Sequence, residues 1–202
     1  SEKAYMRKSL ERTHRWAKQC LEHKTRADQA LMGIVQGSEF DDMREESARL
    51  IGALPFQGFG IGGEYGVDKE AMAKRVALVT ALLPADKPRH LLGVGHPEDF
   101  SFAIAGGADT FDCIAPTHYA RHGTAFTSEG RIDLNKSEHL GVHEPLDPSC
   151  SCPVCETYTR AYISHLMRSK ELTAMTLLTM HNLHYFNALA KRMRDAIASG
   201  DL

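Results

Sequence analysis

The pattern Cys150-Ser151-Cys152-Pro153-Val154-Cys155 constrains this chain more than any other feature in it. Three of its five cysteines fall within six residues, where a tight turn can aim their sulfurs at one point. A C-x-C loop is too short to close easily as a disulfide, and no partner cysteine lies nearby in sequence. Disulfides or three buried thiols are the alternative to a metal. Zn²⁺ takes four soft or borderline donors in a tetrahedron, and His181, in a helix-like stretch, offers the fourth. Four protein donors leave no open coordination position, so one structural Zn²⁺ is expected and the chemistry has to lie elsewhere.

A chain of 202 residues with 43% hydrophobic and 25% charged residues has the composition of an ordinary globular protein. It can form one sizeable domain, or a core with a small appendage. The formal net charge of −2 neither requires nor excludes RNA, because a local basic face can sit inside a neutral total. No apolar run reaches membrane-spanning length. With no signal-peptide pattern, a reducing, cytoplasmic setting is expected, which suits a thiolate metal site. The chain opens at Ser1 directly in helix-like sequence without a cap, and so reads as a fragment of something longer. Basic residues exceed acidic ones over 1–26. That excess reads as a solvated helix face, with RNA contact as the alternative. Tyr5, Leu10, Trp16 and Cys20 are expected to share an apolar stripe there.

From about 27 to 120, short apolar runs alternate with amphipathic stretches. The runs are 31–35, 58–61, 91–94 and 110–114, and the helix candidates are 39–53, 68–83 and 97–106. Pro97 suits a first helical turn, and Glu98 and Asp99 are acids suited to a helix N-terminus. Buried parallel strands alternating with helices mean βα units. Four such units make half of the eight that a closed barrel needs. The expected fold class is therefore α/β, half of a (β/α)₈ TIM-type barrel plus a zinc-binding subdomain. Each run ends in polar or glycine-rich sequence, and in such barrels the C-terminal ends of strands carry the site. Beyond Pro116 the character changes. Residues 123–132 read as a hairpin turning at Ser128-Glu129-Gly130, 133–155 as an irregular loop, and 156–169, 171–179 and 181–198 as helices. The expected organisation is barrel half 1–123, zinc subdomain 124–185 and a returning helix 186–202.

Asp112 sits within the fourth apolar run, where an acid is out of place unless it is used. A carboxylate can act as nucleophile at an anomeric carbon. A buried, hydrogen-bonded structural aspartate is the other reading. Gly33-Ile34-Val35-Gln36-Gly37, Gly60-Ile61-Gly62-Gly63, Leu92-Gly93-Val94-Gly95-His96-Pro97-Glu98-Asp99, Phe111-Asp112-Cys113-Ile114-Ala115-Pro116-Thr117 and the cysteine knuckle with its histidine occur in one order. Together they resemble the tRNA-guanine transglycosylases over nearly the whole chain.

That resemblance implies a (β/α)₈ barrel with a zinc subdomain that exchanges guanine for a 7-deazaguanine at the anticodon wobble position of tRNA. It implies Asp112 as the nucleophile at ribose C1′ and Gln36, Gly62 and Gly63 as base-binding positions. Leu92 would pack on the base face, Arg121 would contact RNA, and Cys150, Cys152, Cys155 and His181 would be the zinc ligands. It further implies tRNA and a 7-deazaguanine base as partners and a homodimer in the full-length protein, with no membrane association. The resemblance also places a second catalytic aspartate, a general acid/base, in an N-terminal half outside this chain. Two departures bear on specificity. Glu64-Tyr65-Gly66 replaces the usual apolar continuation of the glycine pair and is expected near the incoming base's 7-substituent, with Glu64 pointing inward or outward. His118 stands where an arginine is usual, and a neutral imidazole cannot make the forked phosphate contact of a guanidinium. His90, His139, His143 and His165 read as surface or packing residues, and Cys20 and Cys113 as small apolar packing groups. A non-catalytic RNA-binding or dimerisation subunit is the competing reading from another class, and a related transglycosylase with altered base specificity is a further alternative.

Overall fold

The computed structural model describes residues 2–63 and 68–201. The Glu64-Tyr65-Gly66 segment, with its expected role in base choice, lies outside the described residues. The chain divides into two compact units, Ser1–Cys113 and Ile114–Leu202.

The first unit opens with α1 (Glu2–Glu22) and continues through β1 (Met32–Val35), α2 (Asp41–Gly52), β2 (Gly58–Ile61), α3 (Lys69–Thr80), β3 (Arg89–Leu91), α4 (Phe100–Ala105) and β4 (Thr110–Phe111). The strands form one parallel sheet in the order β1-β2-β3-β4, which is chain order without reversal. Strands this short are held by burial rather than by length. Val35, Phe59, Ile61 and Leu91 have no exposed surface and form one core with Ala48 and Ile51 of α2 and Met72, Val76 and Val79 of α3. Contact with α2 is close enough to need a missing side chain. A Cβ built on Gly33 would lie 2.5 Å from Phe56 Cδ2 and 2.7 Å from Ile51 Cγ2. The start of α3 is fixed by Asp68, whose carboxylate accepts the Glu70 and Ala71 N–H groups.

The last two strands are shorter than their apolar runs. β3 is Arg89–Leu91 because Gly93, at φ +72°, turns the backbone into the left-handed region just beyond it. β4 ends at Phe111, so Asp112 lies just past the strand rather than within it. Pro97 opens a 3₁₀ turn, Pro97–Asp99, that leads into α4. The stripe expected on α1 is corrected. Tyr5 and Trp16 are more than half exposed, and Cys20 is exposed rather than packed. The buried line is Leu10 and His14, with Ala17 and Leu21 partly buried against the core. The helical period holds, but a histidine occupies a core position.

The second unit runs α5 (Ala115–Arg121), β5 (Thr124–Thr127), β6 (Gly130–Asp133), α6 (Pro153–Thr157), α7 (Arg160–Arg168) and α8 (Leu172–Ser199). β5 and β6 pair antiparallel with Thr127 opposite Gly130, so Ser128 and Glu129 form the loop of the expected hairpin. The expected helix 156–169 is two. Tyr158 is extended, and the Thr159 hydroxyl restarts the chain by accepting the Tyr162 N–H at 3.2 Å. The expected helices 171–179 and 181–198 are one, because no Gly or Pro between 172 and 199 breaks the hydrogen-bond ladder. A 3₁₀ turn, Ser137–Gly141, interrupts the 133–155 loop.

Asn182 ties α8 to its neighbours. It is fully buried, accepts the Phe126 N–H at 3.0 Å, and donates to the Pro116 and Thr124 carbonyls at 3.0 Å each. Asn182→Ala strands three backbone groups, and each unsatisfied buried group costs about 1–3 kcal/mol. Chemical denaturation should show a loss of about 2 kcal/mol or more, against about 0.5 kcal/mol or less for Asn187→Ala on the exposed face of the same helix. Equal effects of the two substitutions would contradict this role for Asn182.

Candidate functional site

Strand register aligns the site. Ile34 pairs with Gly60, Gly60 with His90, and His90 with Thr110. One residue on, Val35, Ile61, Leu91 and Phe111 form the next row, and the first three of these are fully buried on the helix side. Successive strand side chains alternate faces. The row beyond therefore returns to the face of Ile34 and His90, and it consists of Gln36, Gly62, Leu92 and Asp112. The ladder continues through Gly62 and Leu92, with Gly62 N–H donating to Val35 O and Leu92 N–H to Ile61 O, both at 3.0 Å, and Asp112 joins the row through its contacts with His90 and Gly93. Four separate sequence motifs thus deliver their expected site residues to a single row.

The middle of that row is closely packed and depends on missing side chains. A Cβ on Gly62 would lie 2.9 Å from Gln36 Nε2 and 3.4 Å from Leu92 Cδ1. A Cβ on Gly63 would lie 3.1 Å from Gln36 Oε1, and its φ of +94° favours glycine in any case. The two glycines let the half-buried Gln36 amide lie against their backbone, with Leu92, 36% exposed, on the other side of Gly62. Three residues that sequence reasoning missed support this part of the row. Arg44 is fully buried and donates Nε to the Ser38 carbonyl and Nη1 to the Gly62 carbonyl at 3.2 Å. The Ser47 hydroxyl accepts the Gln36 N–H at 3.2 Å and lies 3.1 Å from His14 Nε2. Burial lowers the His14 pKa, so the ring is neutral near pH 7. The available signal was polarity out of place, since Arg44 and Ser47 share the buried face of α2 with Met43, Ala48 and Ile51.

Asp112 ends the row. Its side chain is 62% exposed, which does not fit a buried structural aspartate. Its Oδ1 lies 3.1 Å from His90 Nε2 and accepts the Gly93 N–H at 3.2 Å. His90 Nδ1 lies 2.8 Å from Thr110 Oγ1. His90 is therefore a partner of Asp112 rather than a surface or packing residue. Its signal was its position two residues before Leu92, on the same strand face. Cys113 is half-buried and its thiol donates to the Gly95 carbonyl at 2.9 Å, so it is not an apolar filler. In the second unit, Arg121 is exposed on the last turn of α5, next to His122, whose ring lies 4.5 Å from that of His118.

The four expected metal ligands converge. Cys150, Cys152, Cys155 and His181 place their donor atoms within 4.8 Å of one another. His181 Nδ1 is 3.8, 3.5 and 3.4 Å from the three sulfurs in that order. A tetrahedral ion with Zn–S about 2.3 Å and Zn–N about 2.0–2.1 Å requires S···N separations of about 3.6 Å. His181 Nε2 donates to the Phe126 carbonyl at 2.8 Å, which leaves the Nδ1 lone pair facing the sulfurs. Cys152 caps α6, its sulfur accepting the Cys155 N–H at 3.4 Å. Burial raises the Cys150 and Cys155 thiol pKa values and lowers that of His181. Three thiolates in such a place need a dication, and the donor set of three sulfurs and one nitrogen fits zinc. The cysteines are free thiols, not disulfides. Asp147 braces the approach, accepting from the N–H and hydroxyl of Ser128 at 2.7 and 3.0 Å and of Ser149 at 2.9 and 2.8 Å. Burial pushes the Asp147 pKa up, but these donors outweigh it and hold the carboxyl below its usual range.

Metal analysis should find one zinc per chain. Because the ligands bind deprotonated, zinc should be released as pH falls, and its chelation should destabilise the second unit. Zinc-free folded protein, or a disulfide among Cys150, Cys152 and Cys155, would contradict the site.

Comparison with known proteins agrees with this geometry. The family model described as queuine tRNA-ribosyltransferase matches residues 1–202. The chain is 45% identical over 194 residues to the queuine tRNA-ribosyltransferase of Halothermothrix orenii, covering 96% of this chain and 52% of the relative. It is 46% identical over 199 residues to that of Halalkalibacterium halodurans, covering 98% and 52%. It is 45% identical over 195 residues to that of Bacillus subtilis, covering 96% and 51%. The chain thus spans about half the length of these curated relatives, and its match runs through both the parallel sheet and the Cys₃His centre. By sequence the chain belongs to the queuine tRNA-ribosyltransferase family.

Proposed function

We propose that this chain is the C-terminal half of a tRNA-guanine transglycosylase and carries the nucleophile of the exchange. The observation that supports it best is the single row Gln36, Gly62, Leu92 and Asp112 at the C-terminal ends of four parallel strands. The sheet order without reversal suits a sector of a (β/α)₈ barrel rather than a doubly wound sheet, which reverses at its ligand crevice. On this reading the barrel half is 1–123, the zinc subdomain 124–185, and 186–202 a helix returning to the barrel.

The chemistry follows from the side chains. Gln36 offers an amide donor and acceptor to the edge of a purine, with Gly62 and Gly63 leaving room for it and Leu92 giving an apolar face. Asp112 attacks ribose C1′ of the wobble nucleotide, forming a C–O bond as the C1′–N9 bond to guanine breaks. The electron pair leaves on N9, which takes a proton from an acid outside this chain. The incoming 7-deazaguanine then returns its N9 proton to that same outside group and attacks C1′, and the C1′–O bond breaks with its electron pair leaving on the Asp112 carboxylate. Two displacements at one carbon retain the sugar configuration. Arg121 is assigned to the RNA phosphates. The zinc, with four protein donors, supplies no chemistry to this step and holds the second unit together. The full-length enzyme would be a homodimer working on tRNA in the cytoplasm, where thiolates stay reduced. No described helix is long and apolar enough to cross a membrane.

In the full-length protein, Asp112→Ala should lower guanine exchange into tRNA by about 10³-fold or more, the scale of losing a covalent nucleophile. The 202-residue chain alone should show no exchange. Near wild-type exchange by Asp112→Ala would refute the assignment, whereas no exchange by the wild-type full-length protein would favour a non-catalytic RNA-binding subunit.

A further inference from the structure

We propose that His90, set by Thr110, is a positioning residue that orients the Asp112 carboxylate for attack. This rests on the reading of Asp112 as nucleophile. The carboxylate is exposed, and an exposed aspartate ordinarily rotates about its last side-chain bond. Here both donors converge on one oxygen, His90 Nε2 at 3.1 Å and Gly93 N–H at 3.2 Å from Oδ1. Among the described residues no hydrogen-bond partner meets Oδ2. The carboxylate is thus held by one oxygen with the other left for the reacting carbon.

The hydrogen-bond directions are determined by the acceptor. A carboxylate accepts only, so Nε2 carries the proton toward Oδ1. In the neutral ring Nδ1 is then an acceptor, and at 2.8 Å the Thr110 hydroxyl donates to it. Thr110 fixes the tautomer and His90 delivers it. Both stand on strands, directly opposite each other in the parallel register, so the relay is as rigid as the sheet. The neighbouring charges are occupied with one another. Arg89 donates from its backbone N–H, Nε and Nη2 to Asp109 at 2.8, 3.0 and 3.2 Å. A side chain that only filled space at position 90 would need neither of its ring nitrogens.

The test compares kcat and KM for guanine exchange in the full-length protein carrying His90→Phe, His90→Gln, Thr110→Val or Asp112→Ala. His90→Phe keeps the ring shape and loses the donor. Its kcat should fall about 10- to 100-fold, the usual cost of a lost supporting contact, with KM for tRNA and base within about twofold of wild type. His90→Gln should recover most of that loss, since its amide N–H can donate to Oδ1. Thr110→Val should fall between wild type and His90→Phe, and should a position-90 variant not fold, this near-isosteric change carries the test by the same criterion. Wild-type kcat in His90→Phe, or in Thr110→Val where it carries the test, alongside an inactive Asp112→Ala overturns the positioning role and leaves the nucleophile standing. Equal loss in His90→Gln and His90→Phe, or loss through KM alone, overturns it as well. Wild-type exchange in Asp112→Ala overturns both.

Discussion

The parallel register of four short strands is the constraint on which the candidate active site depends. Each strand contributes one side chain per row to the face away from the helices, and the pairing Ile34–Gly60–His90–Thr110 forces Gln36, Gly62, Leu92 and Asp112 into the row above. A slip of one residue in any strand would turn its contribution toward the helices. The burial of Val35, Phe59, Ile61 and Leu91 on the helix side is what forbids that slip. The apolar core thus sets the site without touching it. Support comes also through the backbone, from Ser47 to the Gln36 N–H and from Arg44 to the Gly62 carbonyl.

The second unit depends on one residue of β5. Phe126 gives its carbonyl to His181 and its N–H to Asn182, neighbours on α8. The first bond fixes the tautomer that a metal needs, and the second fixes the helix that carries the ligand. Asp147 joins the hairpin turn to the segment entering the knuckle, through Ser128 and Ser149. The metal centre is therefore organised by backbone and carboxylate contacts outside the ligand set.

What could be read from the sequence was what is local in chemistry or period. The cysteine knuckle and its histidine declared their purpose by spacing, and the βα rhythm by the alternation of apolar runs with amphipathic stretches. The hairpin at Ser128-Glu129 followed from its turn residues. What could not be read was partnership across elements. His90 has no meaning until β3 and β4 are paired and Thr110 and Asp112 come into reach. His14, Arg44 and Ser47 are polar residues on core faces, where their role shows only once their hydrogen-bond partners on other elements are in place. The break at Tyr158 carries no glycine or proline to announce it. In sequence Asp112 lies inside an apolar run, whereas β4 stops one residue earlier and leaves the carboxylate exposed.

On the proposed mechanism the Asp112 carboxylate forms a bond to ribose. The most direct measurement is mass spectrometry of full-length protein quenched by denaturation during exchange with tRNA and then digested. A nucleotide-bearing peptide whose modification maps to Asp112 is expected. A modification mapping to another residue, or none while exchange proceeds, would contradict it.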